Sequence, residues 1–235
     1  MKRVQVSPKQ VVWLDEQVVS SPLDKLFCSK YWHAKQRVVG QAQGRGTTWF
    51  IRLDYRDAAL RHYLRGGLFG RLIRDHYLFL GWERTRGVQE LLVLNHLHRH
   101  GVNVPRPIAA RAVKRLFCYQ ADILVERVSE ANDLVTVLKK NVLNEQQCRD
   151  IGVQIALMHR AQVNHTDLNI HNILLDSEQR IWLIDFDKCR VEQGERWKFS
   201  NLNRLKRSFA KEQEKHNIHW HASHWMALLE GYHHG

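Results

Sequence analysis

The chain has 235 residues, enough for one large domain or two small lobes around a cleft. It is 44% hydrophobic with a formal charge of +12, so it can build a core and it favours an anionic partner: nucleotide, nucleic acid, phosphorylated substrate or acidic membrane face. Its cysteines (Cys28, Cys118, Cys148, Cys189) form no Cys-x-x-Cys pair, which argues against a cysteine zinc site and suits a reducing compartment; the start lacks the apolar core of a signal peptide, and no run reaches the roughly 18 apolar residues of a membrane span.

Residues 1–36 show no dominant period. Trp13, Leu14, Leu26, Phe27, Tyr31 and Trp32 must pack somewhere, and short helices are expected over 22–31. A β-meander follows. Residues 37–42, 48–53 and 58–63 read as strands, with turns at 44–47 and 54–57. The turn carrying Gly44 and Gly46 is open to two readings. Backbone N–H groups without a Cβ in the way approach a phosphate closely, but most such turns only join strands.

In residues 64–84, glycines, arginines and large apolar side chains alternate. This is either an insertion with a solvated basic face or an anion-binding segment that also touches lipid. Residues 86–100 read as a helix with Val88, Leu91, Leu92, Leu94 and Leu97 inward and Gly101 as its stop. Val104-Pro105-Arg106-Pro107 ends that helix and begins an extended segment. Residues 117–128 read as a strand leading into a linker. Residues 145–162 form a second helix, carrying Ile151, Ile155, Leu157 and Met158 inward.

The most informative stretch is His165-Thr166-Asp167-Leu168-Asn169-Ile170-His171-Asn172, followed by Trp182-Leu183-Ile184-Asp185-Phe186-Asp187. Residues 173–175 and 181–184 read as two short buried strands around a turn at 176–178. Such a hairpin gathers Asp167, Asn172 and Asp185 at one rim. Phosphoryl transfer needs that set: one carboxylate to orient a hydroxyl and two oxygen ligands for magnesium.

Residues 197–215 read as a basic helix, with Leu202, Leu205 and Phe209 inward and Arg204, Lys206, Arg207 and Lys211 outward. His216, His219, His221 and His224 lie among Trp220 and Trp225. Their spacing admits a metal site, but aromatic packing with exposed imidazoles is the default expectation. Trp225, Met226, Leu228 and Leu229 fit a last helix docking on the core.

His-x-Asp-Leu-x-x-x-x-Asn resembles the protein-kinase catalytic loop, and Asp-Phe-Asp resembles a variant of the Asp-Phe-Gly magnesium loop. Further marks extend the resemblance over most of the chain. They are Gly44-Arg45-Gly46-Thr47, Leu60-Arg61-His62-Tyr63-x-Arg65-Gly66-Gly67-Leu68, Val104-Pro105-Arg106-Pro107 and Trp197-Lys198-x-x-Asn201-Leu202-x-Arg204-Leu205. Together they are similar to the 3-deoxy-D-manno-octulosonic acid (Kdo) kinases of lipopolysaccharide core synthesis in Gram-negative bacteria.

That resemblance implies an α+β, protein-kinase-like bilobal fold. It has a small β-rich N-lobe at 1–128 and a reduced, mainly helical C-lobe at 129–235, together one kinase-like domain. It implies ATP and Mg2+ as cofactors and phosphorylation of the 4-hydroxyl of Kdo in Kdo-lipid IVA. Asp167 would orient the hydroxyl; Asn172, Asp185 and the additional carboxylate Asp187 would serve the metal. Gly44 and Gly46 would cover phosphates. Arg61, standing where lysine is usual, would contact them and be held by Glu90. Backbone groups from Glu126 to Val128 would meet adenine, and Arg65, Arg71 and Arg74 the anionic acceptor. The missing Ala-Pro-Glu motif and later kinase helices argue against a protein substrate. The expected partner is a lipid-linked anionic sugar, with peripheral contact at the cytoplasmic face of the inner membrane. No nucleic acid and no obligate protein partner is expected. Two rivals stay open on the residues alone: a small-molecule kinase of the aminoglycoside or choline type, and a non-catalytic basic module, to which the departures at Arg61 and Asp187 lend support.

Overall fold

The computed structural model describes residues 1–15, 22–44, 46–65 and 75–235. The chain divides into two compact units, one of Met1–Leu92 with Arg106–Arg127, the other of Val93–Pro105 with Val128–Gly235.

The first unit is built on an eight-stranded antiparallel sheet. Its strands are β1 (Lys2–Ser7), β2 (Gln10–Leu14), β3 (Val38–Gln43), β4 (Thr47–Arg52), β5 (Asp57–His62), β6 (Tyr77–Leu78), β7 (Pro107–Arg115) and β8 (Cys118–Glu126). Their order is β1-β2-β7-β8-β5-β4-β3, with β6 also paired to β8. The meander of β3, β4 and β5 lies where the pattern predicts it. The β1–β2 hairpin does not follow from that reading. It rests on the alternation of half-buried Val4 and Val6 with exposed polar residues, and on Val11–Leu14, which is buried on both faces.

Helix α1 (Ser29–Ala34) overlaps the end of the expected helical segment and runs past it. Trp32 is 1% exposed and its indole N–H donates to the Leu26 carbonyl at 2.8 Å, which satisfies the polar end of a buried ring. Leu26, Phe27 and Trp32 join Val12, Ile51 and Leu60 in one core cluster.

Helix α2 spans Arg86–Arg99, and Gly101 follows it at φ +73°, a left-handed conformation that glycine adopts freely. Gly87 lets the first turn approach the sheet, since a Cβ there would lie 2.8 Å from the Asp122 carbonyl oxygen. One expected core residue falls outside: Leu92 is 45% exposed. At 100° per residue it lies on the side of exposed Gln89, while Val88, Leu91, Leu94 and Leu97 share the buried stripe.

The second unit is mainly helical. Strand β9 (Asn132–Asp133) runs into α3 (Leu134–Leu138), where the Asp133 carboxylate caps the helix by accepting from Val135 N–H at 3.0 Å and Thr136 N–H at 3.2 Å. Helix α4 (Glu145–Arg160) opens with a capping box of Asn144 and Gln147. Strand β10 (Val163–Asn164) leads to the hairpin of β11 (Ile173–Leu175) and β12 (Ile181–Leu183). Then follow β13 (Arg190–Val191), α5 (Arg196–His216) and α6 (Ala222–His234).

Asp176 locks the hairpin turn. It accepts from the Arg180 backbone N–H, Arg180 Nε and Trp182 Nε1 at 2.8–2.9 Å. Burial pushes its carboxyl up, but these donors outweigh that and hold it below the usual carboxylate range. Helices α4 and α6 meet through two glycines. A Cβ on Gly152 would collide with the Leu228 carbonyl, and one on Gly231 with the Arg149 carbonyl.

The C-terminus corrects two expectations. Met226 is 65% exposed, on the side of Ser223 and Glu230 rather than in the core. His224 is buried, 8% exposed: its Nδ1 accepts from the His221 N–H at 3.0 Å, its ring packs 5.3 Å from Trp220, and burial lowers its pKa. Among the described residues no group of three or more His, Cys, Asp or Glu side chains gathers as a metal set.

Candidate functional site

In the first unit, β5 and α2 bring Arg61 and Glu90 together. Arg61 Nη2 lies 2.6 Å from both carboxylate oxygens of Glu90, and the Tyr63 hydroxyl donates to Glu90 Oε2 at 2.5 Å. Glu90 is 4% exposed, a depth at which a carboxylate requires a cation and hydrogen bonds. The guanidinium carries the charge expected of a lysine here, with a planar fork suited to phosphate oxygens.

Next along β5, His62 sits between two carboxylates, Nδ1 2.8 Å from Asp122 Oδ1 and Nε2 3.1 Å from Asp75 Oδ2. The hydrogen bond to Asp122 is the main cause of its raised pKa. Arg65 Nε donates to the His76 carbonyl at 2.8 Å, and its guanidinium stacks 5.1 Å over the Tyr77 ring. Arg71 and Arg74, the other two basic candidates, lie outside the described residues.

The glycine connection is less open than expected. The Gly44 N–H donates to the Gly46 carbonyl at 3.0 Å, so it is spent in closing the turn. Gly46 has a packing reason to be glycine: a Cβ would lie 2.6 Å from Leu64 Cδ1. The Glu126 side chain pairs with Arg56 at 2.7 Å, and its N–H donates to the Arg106 carbonyl at 2.8 Å. The Arg127 N–H donates to the Asp57 carbonyl at 3.0 Å. Val128 opens the last segment of the second unit.

In the second unit, the loop from His165 to Asn172 is cross-tied at each step. Asp167 is exposed, while its own carbonyl accepts from Asn169 Nδ2 at 2.8 Å and Asn172 Nδ2 at 3.0 Å. The second of these hydrogen bonds uses the amide nitrogen of Asn172, and an amide oxygen is the kind of hard ligand that magnesium takes. The Asn172 carbonyl accepts from the Ile184 N–H at 3.0 Å, which ties the loop to the residue before Asp185.

His165 makes the same link through its side chain. Its Nδ1 accepts from the Asp167 N–H at 3.3 Å, so Nε2 carries the proton and donates to the Ile184 carbonyl at 3.0 Å. Burial lowers the pKa of His165 and keeps it neutral.

Asp185 and Lys188 take left-handed backbone, at φ +61° and +66°, on either side of the fully buried Phe186. Asp tolerates that conformation better than most residues. Asp187, standing where glycine is usual, is not among the left-handed residues, so its backbone does not require glycine. Thus Asp167, Asn172 and Asp185 are joined through main-chain and imidazole hydrogen bonds of one unit.

A further set of residues, given no site role by the sequence, runs along α5. Asn201 Oδ1 accepts from the His165 N–H at 3.2 Å, and Asn201 Nδ2 donates to Asn164 Oδ1 at 3.0 Å. Arg204 Nη1 lies 3.9 Å from Asp167 Oδ1. Ser208 Oγ accepts from the Ile170 N–H at 3.0 Å, and Glu212 Oε1 lies 3.5 Å from His171 Nε2. Positions 201, 204, 208 and 212 follow helical spacing, so one polar rail of α5 lies against the loop. Behind it, His159 Nδ1 lies 2.9 Å from the Tyr232 hydroxyl, and burial pushes the His159 pKa down to about 4. The available signal was phase: Asn201 and Glu212 share the buried stripe of Leu205 and Phe209, where a polar residue is the informative exception.

An exposed carboxylate, a neighbouring Asn–Asp pair and, in the other unit, a strand arginine held by a helix glutamate are residue types that a kinase-like phosphotransferase acting on a hydroxyl uses. Comparison with known proteins agrees. Residues 29–232 match the lipopolysaccharide kinase (Kdo/WaaP) family. The sequence is 57% identical over 218 residues to a 3-deoxy-D-manno-octulosonic acid kinase of Vibrio vulnificus (strain YJ016), covering 93% of this chain and 92% of that one. It is 46% identical over 217 residues to the enzyme of that name from Haemophilus influenzae (strain 86-028NP), covering 89% and 90%. A solved structure of WaaP in complex with acyl carrier protein shares the fold, with a TM-score of 0.61 at 18% identity over 95% of this chain and 89% of that one. The chain belongs to the lipopolysaccharide kinase (Kdo/WaaP) family, and its fold is kinase-like and α+β.

Proposed function

We propose that this enzyme transfers the γ-phosphoryl group of ATP to the 4-hydroxyl of Kdo on a lipid A precursor, Kdo-lipid IVA. The observation that carries the reading is the exposed Asp167 carboxylate on a loop whose backbone is tied both to Asn172 and, through neutral His165, to the residue before Asp185. In this reading Asp167 orients the acceptor hydroxyl and takes its proton. Asn172 and Asp185, with Asp187 beside them, are the oxygen donors for Mg2+, a donor set that suits a hard cation. Bound there, the metal would neutralise charge developing on the phosphates.

Arg61, fixed by Glu90 and Tyr63, contacts phosphate. Gly44, Gly46 and the backbone from Glu126 to Val128 serve the nucleotide. Arg65, with Arg71 and Arg74, meets acidic groups of the acceptor. The names carried by the curated relatives support Kdo as the acceptor sugar. We place the enzyme peripherally at the cytoplasmic face of the inner membrane. A charge of +12 suits an anionic lipid surface, and no described helix is long and apolar enough to cross a membrane.

The test is steady-state turnover of ATP and Mg2+ with Kdo-lipid IVA. Asp167→Ala should lower the rate about a thousandfold while circular dichroism stays unchanged. Full activity in that variant would refute the role. Phosphate incorporation into a soluble aminoglycoside or choline, with none into the lipid, would replace the acceptor.

A further inference from the structure

The first unit carries an exposed apolar tip that its site does not use. The connection from β7 to β8 is Leu116-Phe117, between the paired residues Arg115 and Cys118. Leu116 is 86% exposed and Phe117 82%. A two-residue hairpin loop favours glycine at a first position of positive φ, yet here Leu116 holds φ +53°. Two large apolar side chains thus occupy the point of a hairpin against both turn chemistry and the hydrophobic effect.

The patch continues onto β6. Leu78 pairs with Cys118, and the Phe79 N–H donates to the Phe117 carbonyl at 2.9 Å, so this short strand runs alongside the tip. Leu78 is 61% exposed and Leu80 62%. Across the register, Leu78, Cys118 and Arg115 share one face. Phe79 and Tyr119 pack on the other face, their rings 6.4 Å apart.

Cations surround the tip. Arg115 is exposed at its base. Lys114 Nζ lies 4.7 Å from the Phe79 ring, and the Lys114 N–H donates to the carbonyl of exposed Lys9 at 2.7 Å. Of the acids on the flanking segments, Glu83 faces Arg3 Nε at 3.9 Å, and Asp75 faces His62 at 3.1 Å and His76 at 2.7 Å. Apolar side chains at a convex tip, with Lys9, Lys114 and Arg115 around them, match an anionic bilayer surface: apolar groups enter the acyl boundary and cations meet the headgroups.

We propose that Leu116, Phe117, Leu78 and Leu80 form a membrane-docking finger that inserts into the interface of an anionic bilayer. The choice of a bilayer over a protein groove rests on this charge pattern and on the lipid-borne acceptor proposed above.

The test is cosedimentation of the full chain with phosphatidylethanolamine–phosphatidylglycerol vesicles, without nucleotide or acceptor. The key variant is L116G/F117N, which removes the apolar tip and supplies the residues that a two-residue turn prefers. Wild type should pellet with these vesicles and not with phosphatidylcholine vesicles. The variant should bind roughly tenfold to a hundredfold more weakly, the loss of two side chains partly withdrawn from water at the interface. Its melting temperature should be unchanged or higher, and its turnover on detergent-dispersed acceptor unchanged. L78S/L80S should weaken binding independently. Equal binding by wild type and L116G/F117N would overturn the proposal, as would a wild type that ignores anionic vesicles. Self-association in light scattering that the variant abolishes, without vesicle binding, would assign the patch to a second copy instead. Loss of activity in Asp167→Ala leaves this assay untouched, so the two readings fail separately.

Discussion

The two units hold their functional residues by opposite electrostatic means. In the first, a buried carboxylate grips a cation: Glu90 holds Arg61 and accepts from Tyr63. In the second, neutral groups do the holding: His165, Asn201, Asn164 and Asn172 link amides, imidazole and backbone around Asp167. Each arrangement is therefore vulnerable to a different change. A charge pair is weakened when its buried partner is removed. A neutral network fails when an imidazole gains a charge.

The largest effect should come from breaking the charge pair. Glu90→Ala leaves Arg61 without its carboxylate and Tyr63 without its acceptor, and should cost about 3 kcal/mol in denaturant unfolding. Glu90→Gln should recover part of this through the Tyr63 hydrogen bond alone. A loss below about 1 kcal/mol would mean that the pair does not hold this strand and helix together.

Acid should break the other arrangement. The folded pKa of His159 is about 4, below the roughly 6.5 of an unfolded histidine, and that of His165 is lowered as well. The unfolded chain therefore binds protons first. The stabilisation is complete above about pH 6.5 and is lost as pH falls toward 4. Between pH 7 and 5, His159 alone should remove on the order of 2 kcal/mol. Lys198 and Glu195 are the charged groups that act on His159 with opposite sign, and neither reverses the shift. His62 works the other way: its raised pKa makes its contribution complete below about 6.5 and lost at higher pH. Urea titrations at stepped pH should show the decline in wild type and a flatter profile in His159→Gln. A wild-type profile flat from pH 7 to 5 would contradict a neutral network.

Asn201→Ala removes the acceptor of the His165 N–H and the donor to Asn164, at about 1–2 kcal/mol of stability. A positioning role has a kinetic signature as well: kcat should fall about tenfold with the KM for ATP little changed. A fall in stability with unchanged kcat would reduce Asn201 to a structural residue. The smallest effect belongs to Arg204→Ala, since its contact with Asp167 is long and both side chains are about half exposed. It should cost no more than about 0.5 kcal/mol and vanish in high salt.

Much of this was legible in the sequence, because the informative residues are local. Asp167, Asn172 and Asp185 stand in a fixed short pattern, and the strands of the meander follow period and composition. The rest depends on partners distant in the chain. Gly152 and Gly231 allow α4 and α6 to meet, and nothing near either residue announces the other. The exposure of Leu92 and the burial of His224 depend on which side of a helix is covered, which periodicity narrows but does not decide. Asn201 stands in a recognisable motif, but its role needs the fold that lays α5 along the loop. Gly44 shows the same dependence on the fold: its N–H closes the turn onto the Gly46 carbonyl, which residue type alone does not announce.

The measurement that bears most directly on the central claim is mass spectrometry of Kdo-lipid IVA after incubation with ATP, Mg2+ and the purified enzyme, with fragmentation to locate the change. A gain of one phosphate on the Kdo residue is expected with wild type and none with Asp167→Ala. An unmodified lipid beside active wild-type enzyme, or a phosphate placed elsewhere on the molecule, would contradict it.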